Sequence, residues 1–542
     1  MTKFHLIIIL FFIQTLPLMS NTINWKSVTK IISSEYIQIT DNYIDNQYNI
    51  YISGSFSGEV DFGNGLINAN GDDGFIIKYN ADGLLIWSAF FTGKGSQIVS
   101  NIVVDSKNNV DIIGNFYDTL KINEVNIPSK GENDSYLAQI NNENGELKWI
   151  KILSGLKSNV ANKLGVDKDD NIIISGYYKD TLYFEGLNTI CRSINNFDAF
   201  IAKINPNGDV KWLQKSGGEQ FTNVFISGFS ISLDKSISIC GTYIGSPIFG
   251  SINKENAEYT TQYLAKLDSN GLFVKVKSIG ENNGGDIISI VTNSSNDIFI
   301  SGYFGYSFLQ NAYIDTFKLT PLGPYSDWYV AKFDENWNFN WAKKGGSIPY
   351  QDIPTDMLVD NDGGVVVAGW IGGDKGVFDT DTIFSYGSQD VALVKYASNG
   401  TVQWVKGAGG VEEDEVSSIS KVGNKYLASG YFTSQCSFDS ILIYENSGVT
   451  GAFYAIFEDE ELSNVSTFNK LPLKLFPNPS NNYISWQISK QAKVLVYTTD
   501  GKFIMEKYLN DNKLNINDLD IGSYIINLYI ENKIYEGRFV KF

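Results

Sequence analysis

The chain has 542 residues, 43% hydrophobic and 14% aromatic, with fifty glycines and thirty-one tyrosines, a composition that fits one large β-rich body of strands and tight turns. Forty-two basic against sixty acidic side chains leave a net charge of −18, and Arg192 and Arg538 are the only arginines, which argues against nucleic acid or an anionic membrane surface as a partner. The single histidine, His5, lies in a leader segment, so Ser-His, Cys-His and histidine-ligated zinc chemistry are excluded together.

Lys3 precedes an apolar run from Leu6 to Leu18, after which Met19, Ser20 and Asn21 turn polar; residues 1–20 read as a signal peptide cleaved after Ser20. The run is shorter than the ~20 apolar residues of a membrane span, and no later stretch is long enough, so no transmembrane segment is expected in the mature chain.

Residues 21–458 repeat. Short strands ending in glycine recur at Gly54, Gly114, Gly176, Gly241, Gly302, Gly369 and Gly430, at spacings of 60, 62, 65, 61, 67 and 61 residues. A second element follows each, as in Asp73 to Tyr79, Asp134 to Ile140 and Asp198 to Ile204. A third reaches tryptophan at Trp87, Trp149, Trp212, Trp341 and Trp404, a series that Lys275 breaks. With an inner strand before each glycine strand, and tight turns such as Lys107-Asn108 and Asp362-Gly363, every repeat reads as four antiparallel strands. That is a propeller blade, and the recurring tryptophans read as packing between blades. The seventh repeat lacks its tryptophan strand, while Ile23 to Val28, containing Trp25 in phase with the others, is an orphan of that type. The prediction is a seven-bladed β-propeller closed by its N-terminal strand. Cys191, Cys240 and Cys436 give no disulfide framework or zinc spacing, and Cys240 stands where sister repeats carry serine, as a small buried filler.

The stretch from Asp198 through Lys203 to Gly208, with Gly217-Gly218 after it, resembles the SBBP bacterial β-propeller repeat, which implies a fold without a fixed activity.

Residues 459–470 read as an acidic linker, and 471–542 as a separate domain of short alternating strands, by pattern a small immunoglobulin-like β-sandwich. The order Pro477-Asn478-Pro479, Asp500-Gly501, Gly522-x-Tyr524 and a final Phe-Val-Lys ending at Lys541 resembles the type A C-terminal sorting domain of the type IX secretion system. The resemblance implies a member of the Bacteroidota, partnership with that secretion machinery, passage through the periplasm to the cell surface or medium, and removal of the tail.

The loops from each tryptophan strand to the next inner strand are acidic and glycine-rich. Glu219, Glu281, Asp286, Asp352, Glu412, Glu413 and Asp414 are the candidate binding residues, and a shared face would make them a candidate calcium site, though solvated surface explains them as well. No other cofactor is expected. Asp105, Asp167 and Asp360 lack the EF-hand order and read as hairpin residues. Thr119, Thr181, Thr382 and Ser440, each after an aspartate, resemble the O-glycosylation sequon of Bacteroidota; a turn entering a strand is the competing explanation. Sialidase chemistry needs an arginine trio the propeller lacks. The leading expectation is a secreted or cell-surface binding or adhesion scaffold for a glycan or protein ligand; the alternative is an extracellular polysaccharide hydrolase or lyase working with carboxylates alone.

Overall fold

The computed structural model describes residues 23–459 and 471–542, except 123–124, 188–189, 220, 282–283, 306–310, 446–449, 489–491, 499–502, 510, 518 and 531–532. The expected signal peptide, most of the linker and the Asp500-Gly501 turn lie outside the described residues. The chain divides into two compact units, Met1–Asp459 and Glu460–Phe542. Every described helix or strand is a strand.

In the larger unit, Tyr36–Ile44, Ile50–Ser57, Asp73–Tyr79 and Leu85–Phe91 pair in chain order as an antiparallel meander. Five more groupings repeat this order, beginning at Gln97, Asn159, Asn223, Ile287 and Ile353. In the last, Asp414–Val422, Lys425–Thr433 and Thr450–Asp459 are joined by Ile23–Ile31, with Ile23 opposite Asp459 and Ile31 opposite Ala452. The third strand Asp73–Tyr79 is buried at every position, because a sheet covered on both faces selects a continuous apolar run over simple alternation.

The first-to-second strand turns explain the Asp-rich signature. Each places a residue in the left-handed region just before the second strand, such as Asn108 at φ 65° and Asp170 at φ 59°. Asp105 Oδ1 accepts the amides of Lys107 and Asn109 at 2.9 and 2.7 Å, and Asp167 Oδ1 those of Asp169 and Asn171 at 2.9 and 3.0 Å. These carboxylates hold turns.

All seven first strands carry a β-bulge at one place, at Thr40, Ser100, Asn162, Ser227, Ile288, Thr355 and Ser417. Three of the bulged side chains reach the next grouping: Thr40 Oγ1 donates to the Val99 carbonyl (2.6 Å), Asn162 Nδ2 to Ile226 (2.7 Å) and Thr355 Oγ1 to Val416 (2.7 Å). The last grouping meets the first through a different residue, since Asn42, two places past the bulge, donates through Nδ2 to the Ser418 carbonyl (2.8 Å) and Ser429 Oγ (2.7 Å). The arrangement is β-propeller-like.

One feature is absent from the four-strand reading. Between second and third strands the chain makes an excursion that lies against the fourth strand of the preceding grouping. Gly376–Phe378 pairs with Gly345–Ser347, Ile248–Phe249 with Ser216–Gly217, and Tyr183–Phe184 with Leu153–Ser154. Single bridges or hydrogen bonds do the same at Thr92–Lys121, Ile279–Asp315, Gly409–Ser437 and Ser33–Val60. Each excursion thereby shields part of an outer edge strand. The sequence missed these because segments of two to four residues carry no periodicity.

The smaller unit has a five-stranded sheet, in the order Leu471–Pro472, Lys533–Lys541, Gly522–Ile530, Ala492–Thr498, Phe503–Leu509, and a two-stranded sheet of Tyr483–Ser485 and Lys513–Asn515. One core joins them, including Ile484, Trp486, Val494, Leu514, Ile526 and Phe539.

Removing residues 21–33 exposes the Thr450–Asp459 edge and takes away buried Trp25, whose rings meet Phe438 and Phe457 edge-on at 5.0 Å. Trp25→Ala alone should cost ~3–5 kcal/mol, and the truncation more, measured by urea unfolding of the larger unit. A truncated form with an unchanged midpoint would show that the strand is an accessory.

Candidate functional site

Because the strands alternate in direction, the fourth-to-first loops and the second-to-third excursions share one face, and the first-to-second and third-to-fourth turns share the other. The predicted acidic residues lie at the loop face. Glu219, Glu281, Glu412 and Glu413 are exposed and Asp286 is half-buried. Asp352 and Asp414 are not part of an open ring, because both are fully buried beneath the loops. Among the described residues no three His, Cys, Asp or Glu side chains converge as a metal-holding group.

The glycines in these loops answer to packing. A Cβ on Gly93 or Gly155 would come within 1.9 Å of the Thr119 or Thr181 carbonyl oxygen, and one on Gly409 within 1.8 Å of Asp390 Oδ1. Asp390 Oδ1 accepts the Gly410 amide at 3.1 Å, and Asp134 Oδ1 the Gly155 amide at 3.2 Å. Where an aspartate opens the third strand, at Asp73, Asp134, Asp198, Asp327 and Asp390 but not at Gln262 or Gly451, it therefore anchors the adjoining loop, and burial raises its pKa, to about 6 for Asp198 and about 7 for Asp327.

Five residues after that aspartate, a lysine ties the opposite end of the sheet. Lys203 meets Asp167 at 2.7 Å, Lys332 meets Asp297 at 2.7 Å, and Lys395 meets Asp360 at 2.5 Å. Burial alone would raise the Asp360 pKa, but hydrogen bonds from Lys395 and Lys421 outweigh it and hold the carboxyl at about 2.

At the axis the structure brings together groups that sequence spacing left scattered. Asp41 accepts Asn101 Nδ2 (2.9 Å), the Ile102 amide (3.0 Å) and Ser418 Oγ (2.7 Å). Asp356 lies 3.1 Å from the same Ser418 hydroxyl and accepts the Ile419 amide at 3.0 Å. Burial and the nearby Asp356 carboxylate raise the Asp41 pKa to about 6. These carboxylates resemble an acid/base pair only in proximity, since their oxygens are occupied in holding inner strands together. The shared bulge position is the one signal that would have grouped them.

The loop face does carry open clefts. One of about 560 Å³ is lined by Ile244, Tyr259, Gly285, Asp286, Tyr303 and Gln351, and Tyr303 Oη donates to Asp286 Oδ2 at 2.9 Å. A second, of about 620 Å³, adjoins Glu281, Tyr313 and Asp315. Exposed aromatics stand at the same face: Tyr36, Tyr117, Phe221, Tyr259, Tyr350 and Tyr386, with Phe221 83% and Tyr386 70% exposed. Among the described residues, the opposite face exposes one large aromatic to a comparable degree, Tyr48.

The tryptophans sit between groupings. Trp87 Nε1 donates to the Asn142 carbonyl (2.8 Å) and Trp341 Nε1 to that of Ser398 (3.1 Å). Gly145, Gly208, Gly271 and Gly400, all at positive φ in the following third-to-fourth turn, lie against Trp87, Trp149, Trp212 and Trp341; a Cβ at Gly271 would sit 2.6 Å from the Trp212 indole. Trp404 is buried against Tyr426 and Phe457.

The aspartate-hydroxyl sequences occupy two places. Thr119 and Thr181 enter excursion hairpins after Asp118 and Asp180, both at positive φ, whereas Asp439-Ser440 is a hairpin tip and Thr382 follows one. Thr119 Oγ1 donates to Asp118 Oδ1 (2.9 Å) and Thr181 Oγ1 accepts the Leu156 amide (3.1 Å), so both hydroxyls serve their turns; Ser440 is exposed.

In the smaller unit, the Asn478 side-chain amide bonds to the backbone of the final strand, Oδ1 accepting the Val540 amide (2.9 Å) and Nδ2 donating to the Arg538 carbonyl (2.8 Å), between exposed Pro477 and Pro479. Lys541 Nζ donates to the Asn481 carbonyl. Tyr524 Oη donates to the Asp520 carbonyl at 2.9 Å, bracing the bend into the Gly522–Ile530 strand.

Residues 474–541 match the family model for the secretion system C-terminal sorting domain. Such a tail implies export by the type IX system to the cell surface or medium, and contact with that machinery. An uncharacterized WD repeat-containing protein of Acanthamoeba polyphaga mimivirus is 25% identical over 220 residues, which cover 34% of this chain. The aligned region spans only 16% of that protein's length. Among solved structures, a protein of unknown function from Bacteroides caccae is similar at 10% identity and TM-score 0.25, over 50% of this chain and 89% of that one. PorZ, a surface component of the type-IX secretion system of Porphyromonas gingivalis, is similar at 8% identity and TM-score 0.14, over 95% and 100%. These scores are low, and the fold described above rests on the strand pairings.

If the indoles are packing elements, Trp87→Ala should cost ~3–5 kcal/mol in urea unfolding, and Gly145→Val should destabilise in the same direction by pushing on the same ring. A Trp87→Ala protein of native stability that had lost only a ligand would assign that tryptophan to a site.

Proposed function

We propose that the protein is an exported, closed seven-bladed β-propeller of the SBBP-repeat type that binds an extracellular ligand through its loop face, as a binding or adhesion scaffold without catalysis. The observation that supports this most is the one-sided distribution of exposed aromatics, combined with shallow clefts at the same face. Tyrosine faces offer stacking area at low entropic cost, and the surrounding Glu219, Glu281, Glu412 and Glu413 repel polyanions; a neutral glycan or a basic protein segment fits this surface. The C-terminal unit, with two sheets over one core, reads as an immunoglobulin-like sandwich that addresses the propeller and is then removed.

The alternative is a carboxylate-dependent polysaccharide hydrolase or lyase. Screening the purified protein against glycan and polymer panels, reading both binding and product release, separates the two. Tyr259→Ala with Tyr350→Ala should weaken binding at least tenfold, consistent with ~1 kcal/mol or more per aromatic contact, while the melting temperature stays within a degree or two. Product release by the native protein, lost in an acid variant of the loop face, would favour the enzyme.

The address is tested in the native host. Deleting residues 471–542 should leave a trypsin-resistant propeller in the periplasm, and the full-length gene should yield surface or medium protein lacking the tail. Undiminished export of the deletion would contradict the sorting reading.

A further inference from the structure

Among the first-strand residues paired two places beyond the repeat glycine are Ile37, Gln97, Asn159, Val224 and Asp414, and in the sixth grouping Asp352, the residue just before the Ile353–Val359 strand, falls at the corresponding place; all are fully buried. Gln97, Asn159, Asp352 and Asp414 are polar, and each adjoins the aspartate that opens the third strand of the preceding grouping, namely Asp73, Asp134, Asp327 and Asp390. In the second and third groupings the partner is a neutral amide. Gln97 Nε2 donates to the Lys94 and Thr119 carbonyls (3.2 and 3.0 Å), and Asn159 Nδ2 to that of Lys157 (3.3 Å).

In the sixth and seventh groupings a second carboxyl replaces that amide. A Cβ on Gly346 would lie 2.6 Å from both Asp327 Oδ1 and Asp352 Oδ2, so these carboxyls face each other across one glycine. Gly410 stands likewise between Asp390, to which its amide donates, and Asp414, whose Oδ2 would be 3.3 Å from a Cβ there. The remaining neighbours supply little positive charge. Asp352 accepts the amides of Ser347 (2.7 Å) and Gly372 (3.0 Å) and the Ser347 hydroxyl (2.8 Å). Asp327 accepts the Leu322 amide at 2.5 Å, with Lys344 as its charged neighbour. Asp390 is faced by Ser385 and the amides of Tyr386, Gly387 and Gly410. Asp414 lies beside the amides of Gly410 and Thr433 and the Cys436 thiol, yet neither of its oxygens makes a hydrogen bond of ordinary geometry.

We propose that at these two junctions an undissociated carboxylic acid stands in for the amide of the second and third groupings, making the arc from Asp327 to Cys436 the alkali-labile part of the ring. Two buried carboxylates facing across a glycine cannot both ionise without a large cost, whereas an acid and a carboxylate can share the site as an amide and a carboxylate do. The titration directions agree. Burial, then the facing carboxylate, raises Asp352 and Asp414 to about 8, and burial raises Asp327 to about 7. A folded pKa above the unfolded value of ~4 gives stabilisation that is complete below ~pH 4 and is lost as pH rises through about 8. His5, the only histidine, lies in the leader, and the other carboxyls that burial raises into the upper half of that window are Asp111, to about 7, and Asp41 and Asp198, to about 6, so the Asn variants are what assign the slope to these two junctions.

The test is the pH dependence of unfolding of the signal-peptide-free chain between pH 6 and 9, with local opening followed by amide exchange. The folding constant of the native protein should fall with rising pH, by up to about tenfold per pH unit for each carboxyl, and exchange should rise first between Asp327 and Cys436. Asp352→Asn and Asp414→Asn should flatten that dependence. Asn159→Asp, which builds the same acid pair at the third grouping, should steepen it and extend the labile arc there. A native folding constant independent of pH, Asn variants with the native slope, or an Asn159→Asp protein with no added slope would each overturn the proposal. The converse variant keeps the test decisive even if an Asn variant does not fold.

Discussion

The larger unit depends on the closing of its last sheet by the first strand of the chain. A propeller-like ring has no terminal cap, so every four-stranded grouping relies on two neighbours to cover its faces, and one unfinished sheet would leave both an open edge and two uncovered surfaces. Ile23–Ile31 fills the edge against Thr450–Asp459. The face-to-face part of the closure joins an apolar core, in which Ile39, Ile52 and Tyr79 of the first grouping cluster with Leu427, Ala452 and Tyr454 of the last, to a polar seam in which Asn42 and Asp41 are bonded to Ser418 and Ser429. A buried hydrogen-bonded seam adds register to a contact that apolar packing alone would leave free to slide.

The same economy runs through the repeats. Five of the third strands carry an aspartate near one end, and four of those, at Lys78, Lys203, Lys332 and Lys395, a lysine five residues on. An odd spacing in a strand sends the two side chains to opposite faces, and the length between them sends them to opposite ends. The aspartate holds the glycine-rich loop, and the lysine holds the Asp-rich turn, as with Asp198 and Lys203. Buried ion pairs of this kind add little net stability over apolar replacements, but they fix which strand end meets which turn. The exposed glutamates and tyrosines of the loop face stand outside both of these ties.

The periodicity of the chain made the strands, their number per repeat and the role of Ile23 to Val28 legible, because a repeated glycine spacing and a missing tryptophan strand are linear facts. The same linear reading placed Asp352 and Asp414 in one set with Glu412 and Glu413, since all are acidic residues in glycine-rich loops. Folding separates them: Asp414 begins a strand and turns inward, and Glu413 beside it stays in solvent. The aspartate-hydroxyl sequences show the converse, since four similar triplets fall at two different places once the excursion hairpins form.

By itself the sequence determined the all-β class, the repeat and the export address, each of which is encoded in local order: glycine periodicity, turn residues and a contiguous C-terminal motif. Only the tertiary structure decided which carboxylates face solvent and which face one another, that outer edges are covered by excursions from the next repeat, and that the exposed aromatics gather at one end of the sheets. Those outcomes depend on contacts between residues some sixty positions apart or at opposite ends of the chain, as with Asn162 and Ile226 or Asn42 and Ser418, and the direction and burial of a side chain at such a contact are set by the neighbouring sheet.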